Sequence, residues 1–352
     1  MRILRTTVLL FAAGLVACVQ GRGQAAPTAS ASAPTWEDPA NWMKIKPVET
    51  DNIVFANVPL IPNPSANPDP GTPGGIRKPV PETGKPGTKD LHIDVYRMPS
   101  ATPTPVVVQL HGGGWIRGDR PSSYGTFRAL LAGGMSVVAV EYRNAKDAPA
   151  PAALQDVRCA MAWVKKNAKK YNFDTNRVVM YGGSAGGHLA LMGAYAPASY
   201  NPPGCTDQPH VAAVLDFYGD TNLERMLAEN DGEDSVHQWL GMDLPLPSGA
   251  AGADGKPAAK RWPKPDEKML ARARELSPTA YTKLGIAAPT FIVNGSKDHP
   301  ARHAELKKDL DAAGVPNGQY IVEGGGHGNF PKPEADKAML LCLEFLKTNG
   351  VL

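Results

Sequence analysis

The stretch Arg177–Met192, RVVMYGGSAGGHLALM, restricts the fold more than any other part of this 352-residue chain. A short apolar run, Val178-Val179-Met180-Tyr181, meets Gly182-Gly183-Ser184-Ala185-Gly186-Gly187 and passes straight into the helix-forming His188-Leu189-Ala190-Leu191-Met192. That order reads as strand, sharp turn, helix. So tight a turn leaves little room for Cβ atoms around its central residue, and small neighbours let one side chain project with strained backbone angles. The projecting group is the Ser184 hydroxyl, with Gly182 and Gly186 at the offsets of a Gly-x-Ser-x-Gly nucleophile elbow.

Buried-strand patterns recur on both sides of the elbow. Pro105–Leu110, Met135–Tyr142, Val211–Phe217, Pro289–Asn294 and Gln319–Val322 are apolar runs, and Leu91–Tyr96 alternates like a half-exposed strand near a sheet edge. Helix patterns fall between them: Tyr124–Ala132, the series Leu154, Val157, Met161, Val164, then Pro300–Ala313 closed by Gly314, and Pro333–Thr348 before Gly350. Alternating strands and helices predict an α/β fold with a mostly parallel central sheet and helices on both faces. Ligands of such sheets bind beyond the carboxyl ends of the strands. His111–Trp115, Ser184, Asp298 and His327 all fall at such ends. One interruption, at about residues 223–281 after strand Val211–Phe217, has the length of a lid or cap.

His111-Gly112-Gly113-Gly114-Trp115 follows a buried strand directly. Its three consecutive glycines expose backbone N–H groups that no side chain covers, as a developing oxyanion requires. Together with EYRNAKDAPAPAALQDVRCAMAWV at 141–164, DFYGD at 216–220, NGSKD at 294–298 and GGGHG at 324–328, the chain resembles an α/β-hydrolase of the hormone-sensitive-lipase-like esterase group. Within that group it is most similar to the branch of bacterial feruloyl and acetyl-xylan esterase-like carboxylesterases. The resemblance runs from about Leu91 to the C-terminus and implies Ser184 as nucleophile and an oxyanion hole made by the N–H groups of Gly113, Gly114 and Ala185. The residues agree, since Ala185 opens the helix after the elbow and its N–H points at the same space.

Of eight histidines, His327 is the candidate base, because it sits in a flexible glycine turn just past the last strand. His111 belongs to packing under the glycines, and His188 faces down the elbow helix. His299 and His303 imitate the spacing of a metal site but lack a third ligand. The acid of this fold falls between serine and histidine in the chain, which selects Asp298. Asp156 and Asp220 also resemble fixed family positions, but their places in the sheet order assign them to structural hydrogen bonding. Trp115 borders the glycine loop and is a candidate floor for an aromatic or sugar-binding cleft, with core packing as the alternative.

The reaction so implied is hydrolysis of carboxylic esters through an acyl-enzyme, with no cofactor and no metal. The resemblance implies short acyl or hydroxycinnamoyl esters, including plant-polymer fragments, as substrates, and the insertion, with only a few large apolar residues, among them Trp239, Leu240 and Met242, predicts no deep channel for long acyl chains. Arylformamidase-like or exopeptidase-like amide hydrolysis and a non-catalytic surface lipoprotein are the alternatives.

Residues 1–17 have the form of an export signal, with Arg2 and Arg5 before an apolar core too short to span a bilayer. Leu15-Val16-Ala17-Cys18 resembles a lipobox, which implies lipid attachment at Cys18 and an anchored protein, with the outer membrane favoured by Val19. Cleavage near Ala25-Ala26 to give a soluble exported protein is the alternative. Residues 18–50 then form a tether, richest in Pro, Ala and Ser from Gly21 to Pro34, and residues 51–352 form the hydrolase domain. Cys159 and Cys342 fall among apolar helix residues and read as small core residues; a Cys159–Cys205 bridge stays open. A formal charge of +3 spread over the chain gives no footing for nucleic acid.

Overall fold

Alternate residues of the central strands face opposite sides of one sheet, and this sorting builds two cores. In the computed structural model, which describes residues 36–67, 85–229, 234–242 and 262–352, eight strands make a single sheet. They are β1 (Val48–Pro59), β2 (Thr88–Arg97), β3 (Thr104–Leu110), β4 (Ser136–Val140), β5 (Phe173–Gly183), β6 (Val211–Phe217), β7 (Thr290–Gly295) and β8 (Asn317–Val322). Across the sheet they run β1-β2-β4-β3-β5-β6-β7-β8. The β1–β2 and β2–β4 pairings are antiparallel and the remaining pairings are parallel.

Val106, Val108 and Leu110 of β3 join Val178 and Met180 of β5 in one apolar cluster with the helices Ala152–Lys166 and Ala185–Tyr195. Val107 and Val179 join the opposite cluster, with the helices Arg128–Ala132 and Lys332–Thr348. Each fully buried aliphatic side chain contributes about 1.5–3 kcal/mol by leaving water. Because these layers fix the parallel strands on both faces, their carboxyl ends are held in one plane as a platform for loops.

Several expectations need correction. Leu91–Tyr96 of β2 is buried throughout rather than half-exposed, because β1 pairs along its outer side. That strand was not anticipated: its register shifts between Thr50 and Ile53, where Asn52 takes φ +55°, and the alternation breaks there. The folded region also begins before residue 51, since Trp42 is buried and β1 starts at Val48. Cys159 and Cys205 form a disulfide that ties the helix Ala152–Lys166 to the loop before β6; Cys342 is buried and free. The export signal, Cys18, most of the tether and residues 243–261 of the insertion lie outside the described residues. Among the described residues no helix is long and apolar enough to cross a membrane.

Candidate active site

At the end of β5 the chain turns through Ser184 with φ +56° and ψ −126° before the helix Ala185–Tyr195 begins. This positive φ is costly for a residue with a side chain and persists because its surroundings fix it. The Ser184 N–H donates to the Phe217 carbonyl at the end of β6, 2.8 Å away. A Cβ on Gly186 would overlap the carbonyl oxygens of Leu110 and His111, and one on Gly182 would overlap Gly186. Glycine is therefore required on both sides of the serine, and the elbow is pressed against the end of β3.

That contact brings the glycine loop beside the hydroxyl. A Cβ on Gly112 would lie 3.5 Å from the Ser184 Cβ. Gly113, Gly114 and Trp115 all have positive φ, +122°, +61° and +59°, so the loop curls, and neither glycine carries a side chain over its own amide. His111 stacks on Tyr142 beneath it, with ring centroids 4.0 Å apart, and donates from Nδ1 to the Gly112 carbonyl at 2.8 Å. Burial holds the His111 imidazole below its ordinary pKa, which suits this packing role.

Two further loops deliver the acid and the base. After β7, Asp298 is fixed by its N–H to the Gly295 carbonyl and by the buried Asn294 amide, which donates to the Asp298 carbonyl at 2.7 Å. After β8, the glycine turn is laced to the β7 loop by the Lys297 N–H to the Gly325 carbonyl and by the Gly324 N–H to Ser296 Oγ, both 2.9 Å. His327 Nδ1 thereby stands 2.9 Å from Asp298 Oδ2, and its Nε2 stands 2.9 Å from Ser184 Oγ. The three residues selected from sequence are thus brought together in one hydrogen-bonded line.

The electrostatics follow the line. The hydrogen bond His327 donates to Asp298 raises the His327 pKa above its ordinary value, against partial burial and the nearby Arg302 charge. Burial alone would raise Asp298, but His327 and the Arg302 guanidinium together hold it below the usual carboxylate range. Nδ1 is therefore the donor to Asp298, which leaves the Nε2 lone pair of the neutral ring facing the serine. Tyr218 closes the other side edge-on to His327, with centroids 4.8 Å apart.

Ser184, Gly114 and His327 line both of two adjoining cavities, of about 490 and 550 Å3. The first also has Asp220, Arg225, Met226, Lys297 and Arg302 in its wall; the second has Arg117, Tyr181, Tyr218 and Ser235. The serine hydroxyl therefore sits where two parts of a substrate can diverge.

Trp115 is placed differently from the cleft-floor expectation. It contributes to the first cavity's wall but is only 1% exposed, stacked on Trp239 and edge-on to His188, so its indole is a core group under the loop. Its positive φ turns the side chain inward, and Trp239 of the insertion covers it. Asp156 serves structure as expected, accepting from the Arg143 backbone and guanidinium. Asp220 is nearer the site than its place in the sheet order implied, because it reaches Arg302. The His299–His303 pair does not converge: His303 is buried against Asp216, whereas His299 lines the first cavity. Arg302 and Tyr218 escaped the sequence reading. The one available signal for Arg302 was its position four residues after Asp298 at the start of a helix.

Known proteins resemble this chain in sequence and in fold. The BD-FAE family model matches residues 93–308. The chain is 33% identical to the esterase LipQ of Mycobacterium tuberculosis over 150 residues, covering 40% of this chain and 36% of LipQ. It is 30% identical to the esterase LipI of the same organism over 238 residues, covering 64% of this chain and 67% of LipI. The chain thus spans about a third of the length of relatives such as LipQ and LipM. Among solved structures, propionate-bound esterase 2 of Thermogutta terrifontis superposes with TM-score 0.56 at 23% identity, covering 75% of this chain and 91% of that one. A truncated carbohydrate esterase from gut microbiota superposes with TM-score 0.55 at 19% identity, covering 85% and 98%. With more than half of its length matched by the family model, and with an eight-stranded, mostly parallel sheet that superposes on these esterases, the chain belongs to the BD-FAE family and has the α/β-hydrolase fold.

Proposed function

We propose that this protein is a serine carboxylic-ester hydrolase in which Ser184, His327 and Asp298 act as nucleophile, base and orienting acid. The observation that carries the reading is the line of two 2.9 Å hydrogen bonds from Asp298 through His327 to Ser184, built on an elbow beside an uncovered glycine loop. His327 Nε2 takes the Ser184 proton as Oγ attacks the ester carbonyl, and Asp298 stabilises the imidazolium that forms. The N–H groups of Gly113, Gly114 and Ala185 receive the oxyanion, helped by the positive end of the Ala185–Tyr195 helix. The imidazolium then protonates the leaving alcohol, and water repeats the sequence on the acyl-enzyme.

Short acyl or hydroxycinnamoyl esters fit best. Among the described residues the first cavity is walled mainly by charged and polar side chains, with Met226 the large aliphatic among them, and these form no apolar tunnel. The esterase of similar fold named above is captured with propionate. Export with a lipid on Cys18 belongs to the same reading, and the Cys159–Cys205 disulfide supports an oxidising compartment.

A fluorophosphonate probe and p-nitrophenyl acetate test the assignment. Ser184→Ala should abolish labelling and lower turnover by about 10⁴-fold or more. Undiminished turnover in Ser184→Ala refutes it. An acyl series peaking at acetyl to butyryl supports the short-acyl part; a preference for chains of about ten carbons, with about 0.8 kcal/mol gained per buried CH₂, rejects it.

A further inference from the structure

The hydrogen-bonded line does not end at Asp298. Its Oδ2 accepts from His327, and its Oδ1 accepts from Arg302 Nη2 at 3.1 Å. The same guanidinium turns its Nη1 to Asp220 Oδ1 at 3.1 Å and to the Tyr218 carbonyl at 3.4 Å. Arg302 is itself fixed by its N–H to the His299 carbonyl and by its carbonyl, which accepts from Thr221 Oγ1 at 2.8 Å. A planar guanidinium holding one carboxylate on each side locks direction as well as charge. Residues of the β6 loop, Tyr218, Asp220 and Thr221, therefore grip the loop that carries the acid.

We infer that Arg302, oriented by Asp220, is a positioning residue that fixes the Asp298 carboxylate so that only Oδ2 is free to orient His327. The inference rests on the proposed Ser184–His327–Asp298 assignment and extends it across the β6–β7 junction. Without Arg302 the Asp298 carboxylate can rotate, and the imidazole it aims shifts with it. Misplacement of a catalytic group by about 1 Å costs on the order of 10²-fold in rate. A charge effect accompanies the geometric one. Among the described residues, the charged or titratable groups that share a cavity with His327 are Asp298, Arg302, Lys297 and His299 from the β7 side, Asp220 and Tyr218 from the β6 loop, Arg225 and Glu229 across the first cavity, and His111, Arg117, Asp119 and Tyr181 in the second. Among these, Arg302 opposes protonation of His327, and Asp298 and Asp220 favour it. Removing the cation or the distal anion must therefore shift the ring's titration in opposite directions.

The experiment measures kcat and KM for p-nitrophenyl acetate against pH in the full chain, with Ser184→Ala as control. Arg302→Met should lower kcat by about 10- to 100-fold with little change in KM, and move the acid limb of the kcat/KM profile to higher pH. Asp220→Asn should move the same limb to lower pH, a sign reversal that a merely structural lesion does not produce. Methylguanidinium should partly restore Arg302→Ala. Unchanged kcat in Arg302→Met, or acid limbs shifted the same way in Arg302→Met and Asp220→Asn, overturns the inference while Ser184 labelling leaves the esterase reading intact. If Arg302→Met fails to accumulate folded, the Asp220→Asn limb decides alone: a shift to lower pH supports the inference, and no shift or the opposite one overturns it. Activity that survives Ser184→Ala removes both readings together.

Discussion

The Trp115 indole donates to His188 Nδ1 at 3.2 Å, joining the glycine loop to the helix that follows the Ser184 turn. His188 Nε2 in turn donates to the Leu276 carbonyl at 2.7 Å, at the end of the insertion. A ring that accepts at one nitrogen and donates at the other is neutral. Trp115 and Trp239 pack around it, and the Trp239 carbonyl accepts from the Ala150 N–H at 2.7 Å. The described helix Asp234–Leu240 of the insertion is thus a buttress under the glycine loop.

This arrangement predicts a pH dependence of stability. Burial pulls the His188 pKa from 6.5 down to about 4. As pH falls below 6.5, the unfolded imidazole takes a proton that the folded one refuses, so stability declines until about pH 4 and levels off below it. The ceiling of this effect is about 3 kcal/mol. His188→Gln retains an acceptor for Trp115 and a donor for Leu276 but cannot titrate. Urea unfolding across this window should show a flatter decline in His188→Gln than in the parent; parallel declines would refute the account.

The glycine loop allows a second prediction. Gly113 has φ +122°, and a Cβ there would overlap the Arg117 carbonyl, which sits inside the loop's own turn. Gly113→Ala must open that turn and displace the loop amides proposed to receive the oxyanion. Removal of one oxyanion donor costs about 10²–10³-fold in kcat, and a similar loss is expected here. Fluorophosphonate labelling should slow in proportion, and thermal unfolding should move down by the strain of opening the turn, on the order of 1–3 kcal/mol. Full activity in Gly113→Ala would assign the oxyanion to other groups.

The disulfide closes a loop with a sequence separation of 46 residues. In the chain-entropy account a loop of this size stabilises the folded state by about 4 kcal/mol. The bond lies between the helix Ala152–Lys166 and the chain before β6, away from the cavities around Ser184. Replacing both cysteines by serine should therefore lower the urea midpoint while kcat/KM of the folded fraction stays as it was. A selective loss of kcat/KM would show that the bridge positions the site.

The site was legible in the sequence where backbone geometry left no choice of residue. Gly182 and Gly186 are required by the crowding around Ser184, and Gly113 by its φ and by the Arg117 carbonyl, so the elbow and the glycine loop can be read from residue type alone. The central parallel strands β3, β4 and β7 were legible because both of their faces are buried. β1 was hidden by the bulge at Asn52, whose N–H goes to the buried Asp94 carboxylate instead of a regular ladder partner. Trp115 was ambiguous because its neighbour Trp239 is distant in sequence, and only packing decides whether an indole beside a loop faces the cavity or the core. Arg302 and Asp220 belong to different loops, and their meeting depends on β6 and β7 being adjacent in the sheet.

The last prediction concerns the acid itself. The Asp298 hydrogen bond is the largest influence holding the His327 pKa above its ordinary 6.5. Proton abstraction from Ser184 needs the neutral ring, so kcat/KM of the parent should rise with pH through a midpoint above 6.5. Asn at position 298 removes the anion and can present an amide N–H where the carboxylate accepted, turning the ring to the wrong tautomer. Asp298→Asn should therefore lose about 10⁴-fold in kcat, with the acid limb of its residual activity displaced to lower pH. Both readouts come from one pH series with p-nitrophenyl acetate. A residual limb that stays at the parent's midpoint would mean that some group other than Asp298 sets the charge of His327.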